Sequence, residues 1–256
     1  MIPPGAPITT LVVDYGGVLT NPLLETYQSF AEDTGIPLET IAAAFAAATE
    51  RHGATPMADL ETGAISEEAM VARIAAELPP EVKGAGSAAE LLGGRPFGEL
   101  WFRGRTANPE MVALLRVVRA TGRPVALLTN NVLEWRPRWR ATLPVDELFD
   151  LVVDSSEEGV RKPDPEIYRR LLTRLGADPG RCLFVDDTAE NLGPAAELGM
   201  HTLLFHNSAQ AVKDVAVRLD LDPAAVEAAL HAQADPQTGP QAGPPQAPKD
   251  PKESGR

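Results

Sequence analysis

The sequence predicts an α/β fold: a parallel sheet covered by helices on both faces, with a helical segment inserted after the first strand. Three observations predict it. Short, continuous apolar runs such as Leu11-Val12-Val13, Val125-Ala126-Leu127-Leu128 and Cys182-Leu183-Phe184-Val185 read as strands buried on both faces. From Pro109 onward, such runs alternate with amphipathic helical stretches. Between residues 24 and 105 the strand signal is missing, and an Ala-rich helical pattern takes its place.

Residues 8–13 form the first strand, β-branched and Leu-rich. In the segment that follows, Tyr27, Phe30 and Ala31 recur at helical spacing, and the run from Ile41 to Ala48 is a strong helix former. Ser66 is placed to cap a helix whose first turn holds Glu67 and Glu68, and that helix should run to Leu78, where Pro79-Pro80 stops it. Met111, Leu114, Leu115 and Val118 share one face of a helix over 109–121 that ends near Gly122. A strand over 124–129, a helix near 133–142, a strand over 149–153, a helix over 164–175, a strand over 182–186, a helix over 189–198 and a strand over 201–205 complete the alternation. Two helices, Gln210–Leu219 and Pro223–Ala232, follow. From Gln233 the chain is Pro, Gln, Gly and Lys with almost no apolar residues, so it should stay disordered, unable to offset its ordering entropy by burial. The expected organisation is a core of residues 8–20 and 106–207, a helical cap of 21–105, C-terminal helices over 208–232 and a tail of 233–256.

Composition narrows the class. The 256 residues are 44% hydrophobic and 23% charged, as in an ordinary globular protein. No apolar stretch approaches the ~20 residues of a membrane-spanning helix. Met1-Ile2-Pro3-Pro4-Gly5 lacks a basic region followed by an apolar core, so a cytoplasmic location is expected. The single cysteine, Cys182, excludes an intramolecular disulfide and a cysteine-built zinc site, and its place in a strand predicts a buried thiol. A net charge of −13 argues against a nucleic-acid partner. The basic cluster Trp135-Arg136-Pro137-Arg138-Trp139-Arg140 reads as a solvated helix start with both Trp residues turned inward. A monomer and a homodimer are equally compatible with the sequence.

Four polar clusters stand at or just beyond predicted strand ends, the edge where open α/β sheets bind ligands. Asp14 follows the first strand, where a carboxylate is poised as nucleophile or metal ligand. Gly16-Gly17 lets the backbone approach a ligand closely. Thr129, Asn130 and Asn131 follow the second strand with a hydroxyl and two amides. Lys162 precedes Pro163 and can neutralise both an attacking carboxylate and an anionic substrate. Asp186-Asp187 places two acids side by side, and a divalent cation is the natural compensator of their repulsion; an all-oxygen site suits Mg²⁺. Each cluster alone is ordinary turn or cap chemistry; their order along the chain joins them into one phosphoryl-transfer site.

Asp14-Tyr15-Gly16-Gly17-Val18-Leu19-Thr20, Leu128-Thr129-Asn130-Asn131, Gly159 to Tyr168 with its Arg161-Lys162-Pro163-Asp164-Pro165 centre, and Phe184-Val185-Asp186-Asp187 with Asn191 resemble the four motifs of the haloacid dehalogenase superfamily. The insertion resembles the helical cap of its phosphoglycolate-phosphatase and dehalogenase-like branch. The resemblance implies a Rossmann-like sheet with the first motif on the central strand. It implies that Asp14 attacks phosphorus to form an aspartyl-phosphate, that the Gly16 carbonyl, Asp14, Asp186 and Asp187 hold Mg²⁺, that Thr129 and Asn130 hold the phosphoryl group, and that Lys162 pairs with Asp14 and the phosphate. The expected substrate is a small phosphorylated metabolite.

The sequence departs from the resemblance at Gly16, where the common phosphatase motif has a second aspartate that protonates the leaving alcohol and then activates water. Such assistance is typically worth about 10²–10⁴ in rate. Three readings follow: a Mg²⁺-dependent phosphatase whose acid/base comes from elsewhere, a dehalogenase-like hydrolase using an aspartyl ester, or a non-catalytic binding or regulatory relative. Asp186-Asp187 argues against the second, and the intact Asp14 and Lys162 against the third. For substrate choice, Tyr27, Arg51, His52, Arg103 and Arg105 are the cap candidates, arginine being suited to a second anionic group.

Overall fold

The computed structural model describes residues 7–83, 90 and 92–234. Its frame is a five-stranded sheet in the order β3-β2-β1-β4-β5, from β1 (Thr10–Val13), β2 (Val125–Thr129), β3 (Leu151–Asp154), β4 (Cys182–Asp186) and β5 (His201–Leu204). Every pairing is parallel, with Val12 opposite both Ala126 and Phe184. The first strand is therefore central, and β1, β2 and β4 are buried along their whole length.

Period-two alternation divides each strand between two apolar layers. Leu11, Val13, Leu127, Leu183 and Val185 pack with the helices Pro109–Ala120 and Ser208–Arg218, and with Val226 of the helix Pro223–Ala234. Val12, Ala126, Leu128 and Phe184 pack with the helices Pro165–Leu175 and Ala189–Glu197. Parallel strands need crossover connections, and the crossovers cover the sheet on both sides.

The segment between β1 and the helix Pro109–Ala120 is helical wherever it is regular: Leu23–Thr34, Leu38–His52, Pro56–Glu61, Glu67–Glu77, Pro80–Lys83 and Phe97–Phe102. These helices gather on their own apolar cluster around Phe30, Ile41, Leu60, Met70, Phe97 and Leu100. Ser66 caps its helix by accepting a hydrogen bond from the Ala69 N–H. Two core residues, Val132 and Trp135, belong to this same cluster, and the rings of Phe97, Trp101 and Trp135 stack on one another. The two chain crossings are tied together: Thr20 bridges Ala107, Asn21 N–H donates to Thr106 O (3.1 Å), and Asn21 Nδ2 donates to Gly104 O (3.0 Å).

Local departures from the expected elements have physical causes. The third strand starts at Leu151 rather than at residue 149, because the Asp150 carboxylate turns back to accept from Val125 N–H and to pair with Arg119. The expected helix over 133–142 is a 3₁₀ turn, Leu133–Trp135, followed by the helix Arg136–Ala141, and a short helix Val145–Leu148 follows that the sequence pattern does not signal. Trp135 and Trp139 are buried, while Arg136 and Arg140 pair outward with Glu157 and Asp146. The last helix runs to Ala234, two residues past the expected end, and the rest of the expected tail lies outside the described residues. Cys182 is buried and free. Among the described residues no helix is long and apolar enough to cross a membrane.

Phe184 is fully buried, packs edge-on against Tyr168 at 5.8 Å, and has Lys162 Nζ 5.5 Å from its ring centre. Phe184→Ala should cost about 3–5 kcal/mol of stability, read as a lower midpoint in urea denaturation.

Candidate active site

Because all five strands run the same way, their C-terminal ends share one edge, and the functional groups collect there. Asp14 is the first residue past β1, and its N–H donates to Val185 O (2.9 Å), which holds it beside the end of β4. Asp186 closes β4 and is fully buried. Between the two lies Lys162, 1% exposed, with Nζ donating to Asp14 Oδ1 at 2.6 Å and to Asp186 Oδ2 at 2.7 Å.

The supporting bonds are specific. Asn130 grips the Lys162 backbone from both sides, accepting from its N–H (2.8 Å) and donating to its carbonyl (2.9 Å). Asp186 accepts further hydrogen bonds from Thr188 N–H (2.8 Å) and Asn191 Nδ2 (3.0 and 3.1 Å). Asp187 is half-buried and accepts from Thr188 Oγ1 (3.2 Å). Gly17 has φ of +79°, and a Cβ there would lie 2.2 Å from Asp187 Oδ2. Glycine at 17 is thus what lets the Asp187 carboxylate close on the first loop. Gly16 is different: a Cβ on it would meet only Leu23 Cδ2, at 3.9 Å.

Oxygens of Asp14, Asp186 and Asp187 lie within 4.8 Å of one another. Burial, with Asp186 and Asp187 nearby, drives the Asp14 carboxyl up to about 7, against the pull of Lys162. Burial and Asp186 likewise raise Asp187. For Lys162, burial works against the charge, but Asp14 and Asp186 outweigh it and hold the ammonium above its usual range. Three crowded carboxylates against one ammonium leave an excess of negative charge. A hard divalent cation such as Mg²⁺ fits this all-oxygen donor set, with Asp14, Asp186 and Asp187 as the side chains to hold it.

Asp14 and Asp187 open into a cavity of about 250 Å³ that also reaches Gly16, Asn130 and Asn191. Leu23, Met57, Glu61, Trp101, Phe102 and Arg105 form its cap side. The cap is fastened at Glu61: its carboxylate pairs with Arg161 (2.8 Å), and its carbonyl accepts from Ser155 Oγ (2.6 Å). The Glu61–Arg161 approach is close but poorly directed, since neither Glu61 Oε2 nor Arg161 Nε makes a well-aligned hydrogen bond.

The sequence-derived site residues are not all in this space. Asp14, Gly16, Lys162 and Asp187 line it, and Asp186 lies directly behind Lys162. Asn130 lines it too, but its side-chain amide is occupied by the Lys162 backbone rather than left free for a phosphoryl group. Thr129 is buried behind it, its hydroxyl making a long bond to the Asn130 carbonyl (3.4 Å). Of the cap candidates, Arg51 pairs with Glu77, Arg103 pairs with Asp33, and His52 is exposed at a helix end; none of the three lines the cavity. Tyr27 packs edge-on against Trp101 (5.0 Å), one layer behind the wall. Arg105 does reach the cavity. Glu61, Trp101 and Ser155 had no local signal in the sequence: an acid closing a short helix, an aromatic among apolar neighbours and a serine after a strand are each ordinary.

A parallel α/β core whose central strand ends in a lysine-paired carboxylate beneath a helical cap defines a class of hydrolase-like folds. The haloacid dehalogenase-like hydrolase family model matches residues 8–199, and the chain belongs to that family. Among curated proteins, acyl-CoA dehydrogenase family member 10 of Mus musculus is 40% identical over 108 residues, 42% of this chain and 10% of that protein. Flavin mononucleotide hydrolase 1 of Arabidopsis thaliana is 43% identical over 105 residues, 41% of this chain and 42% of that protein. The chain thus spans less than half the length of these relatives. A solved dehalogenase structure with an intermediate complex shares the fold, with a TM-score of 0.62 and 17% identity over 85% of this chain and all of the other.

The raised Asp14 carboxyl sets a pH dependence. Between about pH 4 and 7 the folded state keeps a proton that the unfolded chain has released, so Asp14 costs the metal-free protein stability as pH rises. A cation competes with that proton and relieves the cost. Mg²⁺ should therefore raise the melting temperature more at pH 8 than at pH 5.5, as thermal denaturation with and without the metal will show.

Proposed function

We propose that this haloacid dehalogenase-like hydrolase is a Mg²⁺-dependent phosphatase of a small phosphorylated metabolite, working through an aspartyl-phosphate on Asp14. The observation that carries this reading is the Asp14–Lys162–Asp186 chain of short buried bonds with Asp187 beside it. An Asp14 carboxylate oxygen attacks phosphorus, the bond from phosphorus to the ester oxygen breaks, and the leaving alkoxide takes its proton from water. The hydroxide so formed, or a further water, then attacks the same phosphorus, the bond from phosphorus to the Asp14 oxygen breaks, and inorganic phosphate is released as the Asp14 carboxylate is restored. A carboxylate approaches a phosphate dianion only where positive charge offsets their repulsion. Lys162 supplies one such charge within the protein; a divalent cation at the three carboxylates would supply the rest. Asn130 holds the Lys162 loop so that the ammonium stays between its two partners. The apolar and aromatic wall from the cap excludes water around the leaving group.

The name of the Arabidopsis relative, a hydrolase of flavin mononucleotide, supports a phosphorylated substrate. Gly16, with no side chain to move a proton, favours the dehalogenase-like reading, in which an aspartyl ester forms on Asp14. Against that reading stands the third acid, Asp187, which an uncharged carbon–halogen bond does not require.

Two outcomes are expected. Mg²⁺-dependent release of phosphate from 4-nitrophenyl phosphate should fall to background in Asp14→Asn, while halide release from a 2-haloacid that persists in chelator would overturn the phosphatase reading. Because the space at residue 16 admits a side chain, Gly16→Asp should raise turnover, by up to about 10²-fold if proton transfer limits the rate; a folded variant with unchanged kcat would mean that another group already moves the proton.

A further inference from the structure

We propose that Arg105 forms an anion subsite that recognises a carboxylate on the leaving part of the substrate. The inference deepens the phosphatase reading by naming a substrate class, and it rests on that reading only in taking the substrate to be a phosphomonoester.

Arg105 is 7% exposed and lines the cavity that contains Asp14. A buried guanidinium normally has a carboxylate partner, because desolvating a charge is costly unless it is paired. The arginines at 51, 73, 103, 116, 119 and 161 all have one; Arg105 makes no ion pair within 4.0 Å among the described residues. Its hydrogen bonds go to neutral oxygens, from Nη1 to Thr20 Oγ1 (3.0 Å) and to Asn21 O (3.2 Å). Its Nε is buried and has no hydrogen-bond partner among the described residues. Burial is the main influence on the group and lowers its affinity for the proton, while the fields of Tyr15 and Asp14 work to keep it charged.

Nη1 is therefore the anchored corner, and the opposite edge, Nε with Nη2, takes no protein partner among the described residues. That edge is the two-donor fork that matches a planar carboxylate. The anchor is itself fixed: Thr20 Oγ1 also accepts from Gly17 N–H (3.1 Å), and Asn21 is bonded to Gly104 and Thr106 across the two chain crossings. The subsite and the nucleophile thus hang from one loop, which sets their separation. Leu23, Trp101 and Phe102 line the same space and suit a short carbon skeleton between the two anions. Glu61, the other cap charge on the cavity, is occupied by Arg161.

The test compares 3-phosphoglycerate with glycerol 3-phosphate, which differ by a carboxylate against a hydroxymethyl group. Calorimetry on Mg²⁺-supplied Asp14→Asn protein reads binding without turnover. 3-Phosphoglycerate should bind at least about tenfold more tightly, a difference in line with a charge-assisted two-point contact. In Asp14→Asn/Arg105→Gln the preference should vanish while affinity for inorganic phosphate is kept; Arg105→Lys, which retains charge but not the fork, should keep only part of it. Equal affinities for the two esters in the Arg105 protein would overturn the proposal without any variant at 105. So would an Arg105→Gln effect that weakens inorganic phosphate as much as both esters, since it would place Arg105 on the transferred group. Failure of the wild type to turn over any phosphomonoester would sink the phosphatase reading, and the binding comparison would still decide the subsite.

Discussion

The buried ammonium of Lys162 between two carboxylates is the interaction on which the rest of this structure depends. It joins residues 14, 162 and 186, which come from three separate strand-end segments, within bonds of 2.6 and 2.7 Å. Each of these charges would cost several kcal/mol to bury alone, and removing one partner of such a set typically costs about 3–5 kcal/mol. Every nearby feature serves that arrangement. Asn130 grips the lysine's backbone, Phe184 lies beneath its ammonium, and Asn191 and Thr188 donate hydrogen bonds that fix the Asp186 carboxylate. The result is an Asp14 carboxylate with a fixed counter-charge and little freedom to drift.

The same arrangement explains the polarity of the cavity. On the core side negative charge exceeds positive, a setting that suits a cation, and burial together with the neighbouring acids raises the Asp14 carboxyl. On the cap side the wall is apolar, with two charges of its own. One of them, Glu61, is spent on fastening the cap to Arg161. The other, Arg105, is held rigidly and left without a counter-ion among the described residues. A cavity with carboxylates on one side, a buried guanidinium on the other and apolar side chains in its wall would discriminate by the length and charge of what spans it.

Legibility in the sequence followed the range of the interactions. The strands could be read because fully buried parallel strands are continuous apolar runs, and the site acids because each one ends such a run. The Ser66 cap and the inward Trp135 and Trp139 were legible for the same local reasons. Arg51, His52 and Arg103 were singled out by residue type alone, and type does not say where a helical face points: Arg51 and Arg103 found surface partners, and His52 lies at an exposed helix end. Asn130 offered an amide of the right chemistry, but only the folded loop shows that Lys162 consumes it. The two glycines are the clearest case. Gly16 stood out as a missing side chain, yet it is Gly17 whose missing side chain makes room for Asp187.

The sequence by itself determined the alternation of strands and helices, the cap inserted after the first strand, and the four strand-end clusters with Asp14, Lys162, Asp186 and Asp187 as their charged members. These are properties of short segments, set by burial period and by what can end a strand. Only the tertiary structure decided that Glu61 meets Arg161, that Asn130 is taken up by the Lys162 backbone, and that Arg105 rather than Arg103 faces the cavity. Those outcomes depend on contacts between segments tens of residues apart, where a single helical step of about 100° turns a side chain from solvent to site.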